Sequence, residues 1–548
     1  MSRKRRVGST SILALLVLAA LVVAGCGSSG SSGKSGGIVR IGTLLDADSM
    51  NPFASVATGA TYIQVQIYPS LASYDTQLQV KPDFATSWTA NAKHTQLTFK
   101  VHTNGKWSDG QPMTSADVAW TINTVLKYAK GAGGNLASLI TDVKDATTPD
   151  PATVVVNFTA PSPAGVDELA QFPILPKHIY AKYATGKDGK GLTTFANAAP
   201  VVGGGPFYVA KFQRHQFAIL QRNPGYYGSK PHVDRIGFNF YSNPDALTNA
   251  LVNGEIDGAH PVPPASLKAL KGKSNITIQQ PDSLDELLFT INTNKNAKHK
   301  ELQNPLVKQA INAAIDRNRI VQVAYFGSAT AAQAFVPSAL GHWHDSSIEV
   351  PAFDLDHANQ LLDQAGYKRG ADGIRVANGR PMEFTLIALQ NPGGPEGAAS
   401  TIVKDDLQKI GFKVKVSILD GPAALAAVEG NDYANDNSDM FMLVATGTTN
   451  PANALSYETC GALGSFNFSG YCNKAYDALY AKQQQEIDPA KREAQIHQLQ
   501  QILADHQADN VLAYGRGIYA YNSAWTGFDV SPLGWFAERN TAVDVHKK

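Results

Sequence analysis

Residues 97–120 read LTFKVHTNGKWSDGQPMTSADVAW, and this stretch decides the fold more than any other part of the chain. Its first six residues alternate apolar and polar side chains, which is the pattern of a half-buried strand. Asn-Gly at 104–105 and Asp-Gly at 109–110 are turn dipeptides. A helix should then begin at Thr114, because its hydroxyl can cap the first turn and Asp117 lies where the helix dipole favours negative charge. The stretch is therefore predicted to form a strand, an ordered loop and a capped helix.

The order of residues in this loop and helix resembles the signature region of the family 5 extracellular solute-binding proteins. These are the dipeptide- and oligopeptide-binding components of ABC importers. Members have a Gly-x-x-Trp-x-Asp-Gly-x-Pro-like loop followed by an Ala-x-Asp-Val helix start. The corresponding residues are Gly105, Trp107, Asp109, Gly110, Pro112, Ala116, Asp117 and Val118, with Gly105 and Ala116 each one position closer to Trp107 and Asp117 than in that pattern. From local sequence alone, a purely structural role for Trp107 and the two turns is the alternative.

The composition is that of a globular protein. The chain has 548 residues, of which 43% are hydrophobic and 17% charged, enough for several packed units. The formal net charge is +1, and without the first 25 residues the chain has 43 basic and 46 acidic residues. This near-neutral balance does not support binding to nucleic acid. It also argues against a strongly charged ligand attracted by the net charge of the protein, although a local charged patch is compatible with it.

The first 25 residues have the organisation of an export signal. Residues 3–6 are basic, and residues 12–23 form an uncharged run that is short for a membrane span. The following Val-Ala-Gly-Cys resembles the lipobox of bacterial lipoproteins. That resemblance implies cleavage before Cys26 and a diacylated thiol, which anchors stably because it carries two acyl chains. The alternative is a plain signal peptide followed by an incidental Cys. Residues 26–37 are predicted to form a flexible Gly/Ser linker.

Further matches to the family cover essentially the whole mature chain. They are the Asp/Asn-Pro loop at 46–53, residues 81–88, the GGGPF turn at 203–207, residues 222–227, the helix end at 254–257, and residues 310–317. The GGGPF turn is not a phosphate loop, because no Gly-Lys-Ser/Thr follows it. A long helix is predicted over Asn304–Tyr325, and a closing strand over Val511–Tyr521. Between residues 355 and 507, helices and strands alternate in the manner of an α/β protein.

The resemblance implies an α/β, two-lobed fold like that of the periplasmic binding proteins, of the class II or cluster C type, with an inserted subdomain. Two hinge-crossing strands, near Leu288–Asn292 and Asn510–Tyr514, would let the lobes close on a ligand. The closed form would then dock the membrane permease. The expected parts are lobe I at 38–75, 197–286 and 510–548, the inserted subdomain at 76–196, and lobe II at 287–509.

The same resemblance places a small solute, such as a peptide, between the lobes of a monomeric protein. The expected ligand-binding residues are Asn51, Phe53, Tyr68, Asn292, Thr446, Gly447, Thr448, Asn450, Tyr514 and Arg516. From local sequence, Asn51-Pro52 is equally well a strand-to-helix turn. Arg516 is the candidate for a ligand carboxylate. No cofactor or metal is expected.

One loop departs from the dipeptide-binding relatives, which read Trp-x-Gly-Asp-x-Gly-Asp-Pro and hold the peptide's α-amino group with a carboxylate. Residues 445–451 read ATGTTNP here, so Gly447 or Thr448 stands in place of that acid. Hydroxyl and amide groups bind a neutral backbone but do not ion-pair an ammonium group, whose burial without an acid is costly. Longer peptides, N-blocked peptides or uncharged solutes should therefore bind better than free dipeptides. An acid elsewhere, such as Asp439, would reverse this expectation.

Two cysteines remain besides the lipobox cysteine, and an even pair in an exported chain favours a disulfide. They are Cys460 and Cys472, and dipeptide-binding relatives have a pair in the same stretch. A metal site is the alternative, but two cysteines without a nearby histidine make a poor one. The bond would close a loop of about a dozen residues and contribute about 3 kcal/mol to stability.

The sequence contains no Gly-x-Ser-x-Gly, His-Glu-x-x-His, Ser-x-x-Lys or Walker motif, so a binding protein is predicted rather than an enzyme. His342-x-His344-Asp345 is metal-like, and the family has a nickel-binding branch. Its position after Pro337 in a polar segment favours a solvated loop instead. The expected location is the outer face of the cell membrane. A secreted hydrolase and a surface adhesion or signalling lipoprotein are the alternative classes.

Overall fold

The computed structural model describes residues 36–389, 391, 393–429 and 438–548, so the predicted signal segment and Cys26 lie outside the described residues. Strands and helices are numbered separately in chain order. The strands are β1 Ile38–Thr43, β2 Ala72–Tyr74, β3 Val80–Pro82, β4 Ala85–Ala90, β5 Gln96–Val101, β6 Val143–Asp150, β7 Thr153–Phe158, β8 Phe207–Gln213, β9 Phe217–Arg222, β10 Arg235–Phe240, β11 Gly258–Ala259, β12 Ile276–Gln279, β13 Asp282–Ile291, β14 Ala329–Ala331, β15 Val376–Ala377, β16 Arg380–Pro381, β17 Glu383–Leu389, β18 Lys413–Leu419, β19 Met440–Thr446, β20 Asp509–Arg516, β21 Tyr519–Asn522, β22 Trp525–Thr526 and β23 His546–Lys547. The helices are α1 Thr58–Ile67, α2 Ser115–Lys127, α3 Gly134–Ala137, α4 Gly165–Ala170, α5 Lys177–Tyr180, α6 Lys190–Thr194, α7 Pro244–Val252, α8 Leu267–Leu270, α9 Pro305–Ala314, α10 Arg317–Val323, α11 Leu355–Gln364, α12 Glu396–Lys409, α13 Gly421–Glu429, α14 Pro451–Ser456, α15 Lys474–Gln483, α16 Pro489–His506 and α17 Asn540–Asp544.

The first lobe is built on a seven-stranded sheet with the order β12-β21-β11-β1-β10-β9-β8. Strand β1 lies at its centre and pairs in parallel with β10 and β11, while the outer pairs are antiparallel. The buried side chains of β1, β8, β9 and β10 belong to one hydrophobic cluster together with those of the inserted subdomain, whereas Ala259 of β11 and Ala520 of β21 belong to a second cluster with α7 and α8. The insertion is therefore packed as part of the first lobe.

The inserted subdomain contains the stretch that identified the fold. Its sheet has the order β4-β5-β7-β6, and α2 packs against β6 and β7. Thr114 caps α2, and the carboxylate of Asp117 accepts a hydrogen bond from the Thr114 amide, as the sequence predicts. The indole of Trp107 is buried against Gly204 in the GGGPF turn, where an added Cβ would lie 2.9 Å from the ring. Trp107 therefore joins the subdomain to the first lobe.

The second lobe is built on a six-stranded sheet with the order β14-β20-β13-β19-β17-β18. The odd-numbered apolar residues of β13, such as Leu287 and Phe289, pack in one cluster with α9 to α12. Leu284 and Leu288 point to the other face and pack against α14 to α16. Both faces of the sheet are covered, which is why β13 is almost continuously apolar after its first five residues.

The predicted long helix over 304–325 is divided into α9 and α10. Asn304 caps α9, and Asp316 caps α10 by accepting a hydrogen bond from the Arg319 amide at 2.9 Å. An Asp at this position offers the backbone a new helix start, which competes with continuation of the first helix.

The chain crosses between the two sheets at residues 280–281 and again at 517–518. The predicted closing strand over 511–521 is thus two strands, β20 in the second lobe and β21 in the first. Both crossings lie a few residues outside the expected hinge positions, because residues 282–286 already pair with β19 and β20. The amide of Gly517 donates to the carbonyl of Pro281 at 3.0 Å, so the two crossings lie side by side.

The structure contains the predicted disulfide between Cys460 and Cys472, whose Cα atoms are 4.6 Å apart. Across the described part of the chain, none of the helices combines the length and the apolar content that crossing a membrane requires.

Candidate ligand-binding cleft

The cleft between the lobes has a carboxylate on its second-lobe side. Asp285 of β13 lies directly opposite Thr446 of β19 in the antiparallel ladder, so the two side chains share one face. Burial raises the pKa of Asp285, and hydrogen bonding to the hydroxyls of Thr446 and Ser283 opposes that shift. Asp285 is a half-buried residue in the part of β13 that follows the crossing from the first lobe.

The first lobe has a cluster of aromatic side chains beside the chain crossing at 517–518. Burial raises the pKa of Tyr62 to about 12, and the charge of Asp285 adds to that shift. Burial also raises the pKa of Tyr519, with smaller contributions from Tyr62 and Asp285. The ring of His260 lies between these two tyrosines, with centroid distances of 4.9 Å and 5.1 Å. Trp535 stacks on His260 at 5.9 Å. We call Tyr62, His260, Tyr519 and Trp535 the aromatic wall.

The aromatic wall carries no positive charge near neutral pH. His260 is only 2% exposed. Burial lowers its pKa to about 3, so its imidazole is neutral. Neither ring nitrogen has a hydrogen-bond partner among the described residues. The wall therefore does not neutralise Asp285 across the cleft.

The loop after β19 closes the cleft on its other side. Thr449 donates a hydrogen bond to the Tyr74 hydroxyl of the first lobe at 2.8 Å, and Tyr74 donates to the carboxylate of Asp167 at 3.2 Å. Behind the loop, Arg492 donates to the side chain of Asn450 at 3.1 Å, and its charge lowers the pKa of Asp167 against the larger raising effect of burial. The loop is thus held to both lobes by polar contacts.

A small pocket lies beside this loop. Glu286, 2% exposed, lines it together with Leu288, Phe335, Tyr457 and residues 445–448. Burial raises the pKa of Glu286 well above its ordinary value, and the neighbouring charge of Asp285 adds to the shift. The Oε1 atom of Glu286 has no hydrogen-bond partner among the described residues. The pocket therefore offers an unsatisfied acceptor next to the loop.

Of the predicted first-lobe residues, Asn51, Phe53 and Tyr68 are all buried in the lobe's interior. The Asn51 side chain donates to the carbonyls of Leu192 and Phe195 at 2.7 Å and 2.8 Å. The hydroxyl of Tyr68 lies 3.1 Å from that of Tyr180, whose ring also contacts Phe53. These contacts give the three residues a structural part in shaping the loop, and a ligand role for them stays a prediction.

Of the predicted second-lobe residues, the loop positions lie at the cleft. Thr446 pairs with Asp285, and the Gly447 amide donates to the Leu284 carbonyl at 3.0 Å. An added Cβ at Gly447 would lie 2.4 Å from that same carbonyl oxygen, so the strand passes too close for a side chain. Thr448 donates to the Asn450 carbonyl at 3.0 Å, and Asn450 caps α14.

Of the other three predicted residues, Asn292 lies far from Asp285 along β13, whereas Tyr514 and Arg516 lie on β20 opposite Glu286 and Asp282. Asn292 donates to the Ser438 carbonyl at 2.9 Å, at the far end of β13. Tyr514 accepts a hydrogen bond from the Ala334 amide at 2.9 Å, and Arg516 pairs with Asp282 at 3.0 Å. Asp439, the alternative acid, lies beside Asn292, about 23 Å from Asp285 by the rise of seven strand residues. Its carboxylate accepts a hydrogen bond from the Thr385 amide at 2.7 Å.

Sequence reasoning missed Asp285, Tyr62 and Tyr519. The available signal for Asp285 was the pair Asp285-Glu286 near the start of a largely apolar strand. Acidic side chains are rarely buried in a covered sheet unless they have a partner. No comparable signal marks the two tyrosines, which the sequence places in an ordinary helix and strand.

The histidines of the metal-like segment, His342 and His344, make local contacts. The ring of His344 hydrogen-bonds the Val336 carbonyl at 2.7 Å, and His342 packs against Trp343 at 4.4 Å. Among the described residues, no group of three or more His, Cys, Asp or Glu side chains could hold a metal ion.

Comparison with known proteins identifies the family. The family model described as "Bacterial extracellular solute-binding proteins, family 5 Middle" matches residues 79–467. The chain belongs to this family. The solute-binding protein is 25% identical over 547 residues to the oligopeptide-binding protein AppA of Bacillus subtilis, which covers 96% of this chain and 97% of AppA. The family is defined by solute binding rather than by catalysis, and its members serve ABC importers.

Solved structures confirm the two-lobed α/β fold of this solute-binding protein. AppA of Bacillus subtilis in complex with a nonapeptide superposes with a TM-score of 0.76 at 22% identity, covering 94% of this chain and 99% of AppA. The ABC transporter substrate-binding protein CtaP of Listeria monocytogenes gives 0.80 at 22% identity, covering 94% and 100%. NikA of Brucella suis, solved with Fe(III)-EDTA, also gives 0.80 at 20% identity, covering 93% and 100%. The fold alone therefore does not select the ligand.

Proposed function

We propose that this solute-binding protein captures peptides in the cleft between its lobes and delivers them to the transmembrane permease of an ABC importer. The relative AppA, similar over nearly the whole chain, is named an oligopeptide-binding protein, and its solved structure holds a nonapeptide. That similarity supports a peptide as the ligand of this chain. The protein acts as a monomer that presents its closed form to the permease.

One observation of the structure carries the capture mechanism. Within the described residues, the backbone passes between the lobes at the paired crossings 280–281 and 517–518, and the lobes also meet through the loop contact between Thr449 and Tyr74. Two adjacent crossings form a hinge, and a polar contact on the opposite side of the cleft can form and break as the hinge moves. A ligand that contacts both Asp285 and the aromatic wall would favour the closed arrangement, because it binds that state more tightly.

Titration with a random pool of peptides of two to nine residues tests the proposal. Ligand that binds only the folded protein raises its stability by about 2.7 kcal/mol at one hundred times the dissociation constant, so the thermal midpoint should rise. Hydrogen exchange of residues 446–450 should slow in the same samples. Free amino acids of the same overall composition are the control. A pool that leaves both the midpoint and the exchange unchanged would show that peptides are not the ligand.

We also propose that the protein is a lipoprotein held at the outer face of the cell membrane through Cys26. The lipobox supports this placement, and the Gly/Ser segment at 26–37 would give the folded lobes reach from the membrane. In the native host, Cys26→Ser should move the protein from the membrane fraction to the soluble exported fraction. The same distribution for wild type and variant would contradict lipid anchoring.

A neutral solute is the second candidate, and the loop sequence favours it. Residues 446–450 carry hydroxyl and amide groups where dipeptide-binding relatives have an acid. Such a loop suits an uncharged ligand. Whether an ammonium group can still be bound depends on the neighbouring strand.

A further inference from the structure

We propose that the second lobe binds a phosphate group in a groove beside the disulfide, at the end of β13 that lies farthest from the chain crossings. This groove has a volume of about 690 Å³. We call it the lysine groove, after Lys295, Lys308 and Lys474 in its lining. It lies outside the ligand-binding cleft, so the proposal does not depend on which ligand the cleft holds.

The charge of the lining is the first support. Three lysines line the lysine groove, and none of the described residues that line it is an aspartate or a glutamate. Lys295 and Lys474 are exposed at its rim, whereas Lys308 of α9 is only 4% exposed and lies deeper. A recess lined by charges of one sign concentrates their field. The groove therefore attracts an anion.

The ammonium group of Lys308 is the second support. Among the residues that the structure describes, it has no hydrogen bond and no ion pair. Burial lowers the pKa of Lys308 to about 8, and the charge of Asp509 opposes that shift without forming an ion pair. A buried ammonium group without a direct partner is costly, and an anion in the groove would remove that cost.

One acid lies beside the rim. Asp477 is 3.4 Å from Lys474, and it also accepts a hydrogen bond from the Cys460 amide at 2.9 Å. The side chain of Lys474 is 84% exposed. An ion pair in solvent contributes little, so Lys474 can turn from Asp477 toward an anion at small cost.

The N-terminus of α15 contributes to the same field. Asn473 lines the groove and caps this helix by accepting hydrogen bonds from the Ala475 and Tyr476 amides at 2.9 Å and 3.4 Å. The helix dipole places a partial positive charge at this end, which favours a bound anion. This helix end adds to the unpartnered ammonium group of Lys308 and does not replace it.

The walls of the groove are held in place without a ligand. The Thr293 amide donates to the Ser469 carbonyl at 2.7 Å, and Gly470 passes so close to Asn294 that an added Cβ would lie 2.7 Å from the Asn294 Cβ. On another side, the rings of Tyr471 and His506 are 4.4 Å apart. Burial and the charge of Lys308 lower the pKa of His506 to about 4, so its imidazole is neutral.

A phosphate group suits these donors better than a carboxylate does. It carries about 1.5 to 2 negative charges at pH 7 on three acceptor oxygens, whereas a carboxylate carries one charge. Each lysine supplies three donors and acts on phosphate as a point charge, so no bidentate geometry is needed. The phosphate can be inorganic phosphate or the headgroup of a lipid, and the experiment distinguishes these two sources.

Calorimetric titration of residues 26–548, purified without a lipid, tests the site. The probe is inorganic phosphate at pH 7, and chloride at the same ionic strength is the reference because salt screens charges. The wild type should bind one phosphate, and Lys308→Gln should weaken binding by about tenfold or more. Lys415→Gln, at an exposed position of β18 outside the groove, should bind like the wild type.

A variant of the rim guards against a folding defect. Lys295→Gln/Lys474→Gln changes only exposed positions, so it leaves the interior intact, and it should also weaken phosphate binding. If Lys308→Gln does not fold, this double variant decides the outcome. An affinity for phosphate that is unchanged in the folded Lys308→Gln variant, or in the double variant where that one does not fold, would overturn the proposal.

Sedimentation with vesicles distinguishes the two sources. The vesicles are an equal mixture of phosphatidylglycerol and phosphatidylcholine, and pure phosphatidylcholine is the control. Sedimentation with the mixed vesicles alone, abolished in Lys308→Gln, would assign the groove to a lipid headgroup. Binding of inorganic phosphate without such sedimentation would assign it to a soluble phosphate. Failure of the wild type to bind either probe would overturn the proposal and leave the proposed peptide function untouched.

Discussion

The hydroxyl of Thr449 in the second lobe donates a hydrogen bond to the hydroxyl of Tyr74 in the first lobe, with an oxygen-to-oxygen distance of 2.8 Å. Tyr74 passes its own hydrogen to Asp167, so the contact joins the loop after β19 to α4 of the inserted subdomain. The hinge crossings lie elsewhere, at 280–281 and 517–518. This hydrogen bond is therefore a direct marker of the closed arrangement.

Thr449→Val should open the cleft more often, because valine has the same shape but no hydroxyl. A hydrogen bond of this kind contributes about 1 kcal/mol, so the opening equilibrium should rise about fivefold. Hydrogen exchange of the backbone amides of residues 446–450 measures this change in the opening equilibrium. Thr448→Val is the matched control, because the Thr448 hydroxyl bonds only to Asn450 within the loop. Equal exchange in both variants would contradict the closing role of Thr449.

The C-terminal segment is held to the first lobe by a buried ion pair between Arg539 and Asp83, which are 8% and 5% exposed. Arg539 also donates to the Tyr68 carbonyl at 2.6 Å, and Tyr227 donates to Asp83 at 2.6 Å. Asp83→Asn leaves the guanidinium buried without its counter-charge, which should lower the free energy of unfolding by about 3–5 kcal/mol. Denaturant titration measures the change.

The control is an ion pair that is exposed to solvent, between Lys413 and Glu383. Glu383→Gln removes the partner of Lys413, 2.9 Å away on the surface, and should leave the free energy of unfolding nearly unchanged, because solvent screens an exposed pair. A comparable loss of unfolding free energy in Asp83→Asn and Glu383→Gln would contradict the expectation that the buried Arg539–Asp83 pair matters more for stability than an exposed pair.

Glu538 should make stability depend on pH. Burial raises its pKa to about 7, while Arg539, Gln171 and the Tyr74 amide lower it and Asp83 raises it. The ordinary value is 4.5, so between these pH values the folded protein holds a proton that the unfolded chain has lost. The contribution to stability is full below about pH 4.5 and is lost as the pH rises through 7, a change of about 3 kcal/mol.

Glu538→Gln isolates this contribution, because glutamine resembles the neutral acid at every pH. The difference in the free energy of unfolding between wild type and variant should shift in favour of the variant between pH 5 and pH 8. Glu255→Gln, at an exposed position, should show no such trend. A pH-independent difference for Glu538→Gln would contradict the raised pKa.

The disulfide between Cys460 and Cys472 should stabilise the segment before α15. It closes a loop with a sequence separation of 12, which corresponds to about 3 kcal/mol in the loop-entropy model. Reductant should lower the wild type to the stability of Cys460→Ala/Cys472→Ala and leave the variant unchanged. Alkylation of both thiols in the native, unreduced protein would show that the bond is absent in solution.

The sequence predicted features that depend on local order. The capped helix at Thr114 and the Trp107 loop are where the motif placed them, because capping and turn formation involve residues within one turn of each other. The disulfide also followed from the compartment and the even count of cysteines. By contrast, the 304–325 helix is divided by the cap at Asp316, a local signal that the prediction overlooked, and the division of the 511–521 strand depends on which lobe each half packs against. A single sequence does not show that.

The cleft was only partly predicted. The importance of residues 446–450 was expected, and Thr446 lies on the cleft. Asp285 was missed because its pairing with Thr446 joins strands that lie far apart along the chain, and the register of such a pair is set by the whole sheet. The side-chain amide of Asn51 donates to the Leu192 and Phe195 carbonyls of the interior, and its ligand role stays a prediction.

The most direct test of peptide capture is to identify what the protein carries. Protein purified from its own host under native conditions would be denatured, and the released small molecules would be identified by mass spectrometry. The account predicts peptides, in an amount close to one per protein molecule. Stoichiometric release of a non-peptide solute would contradict it.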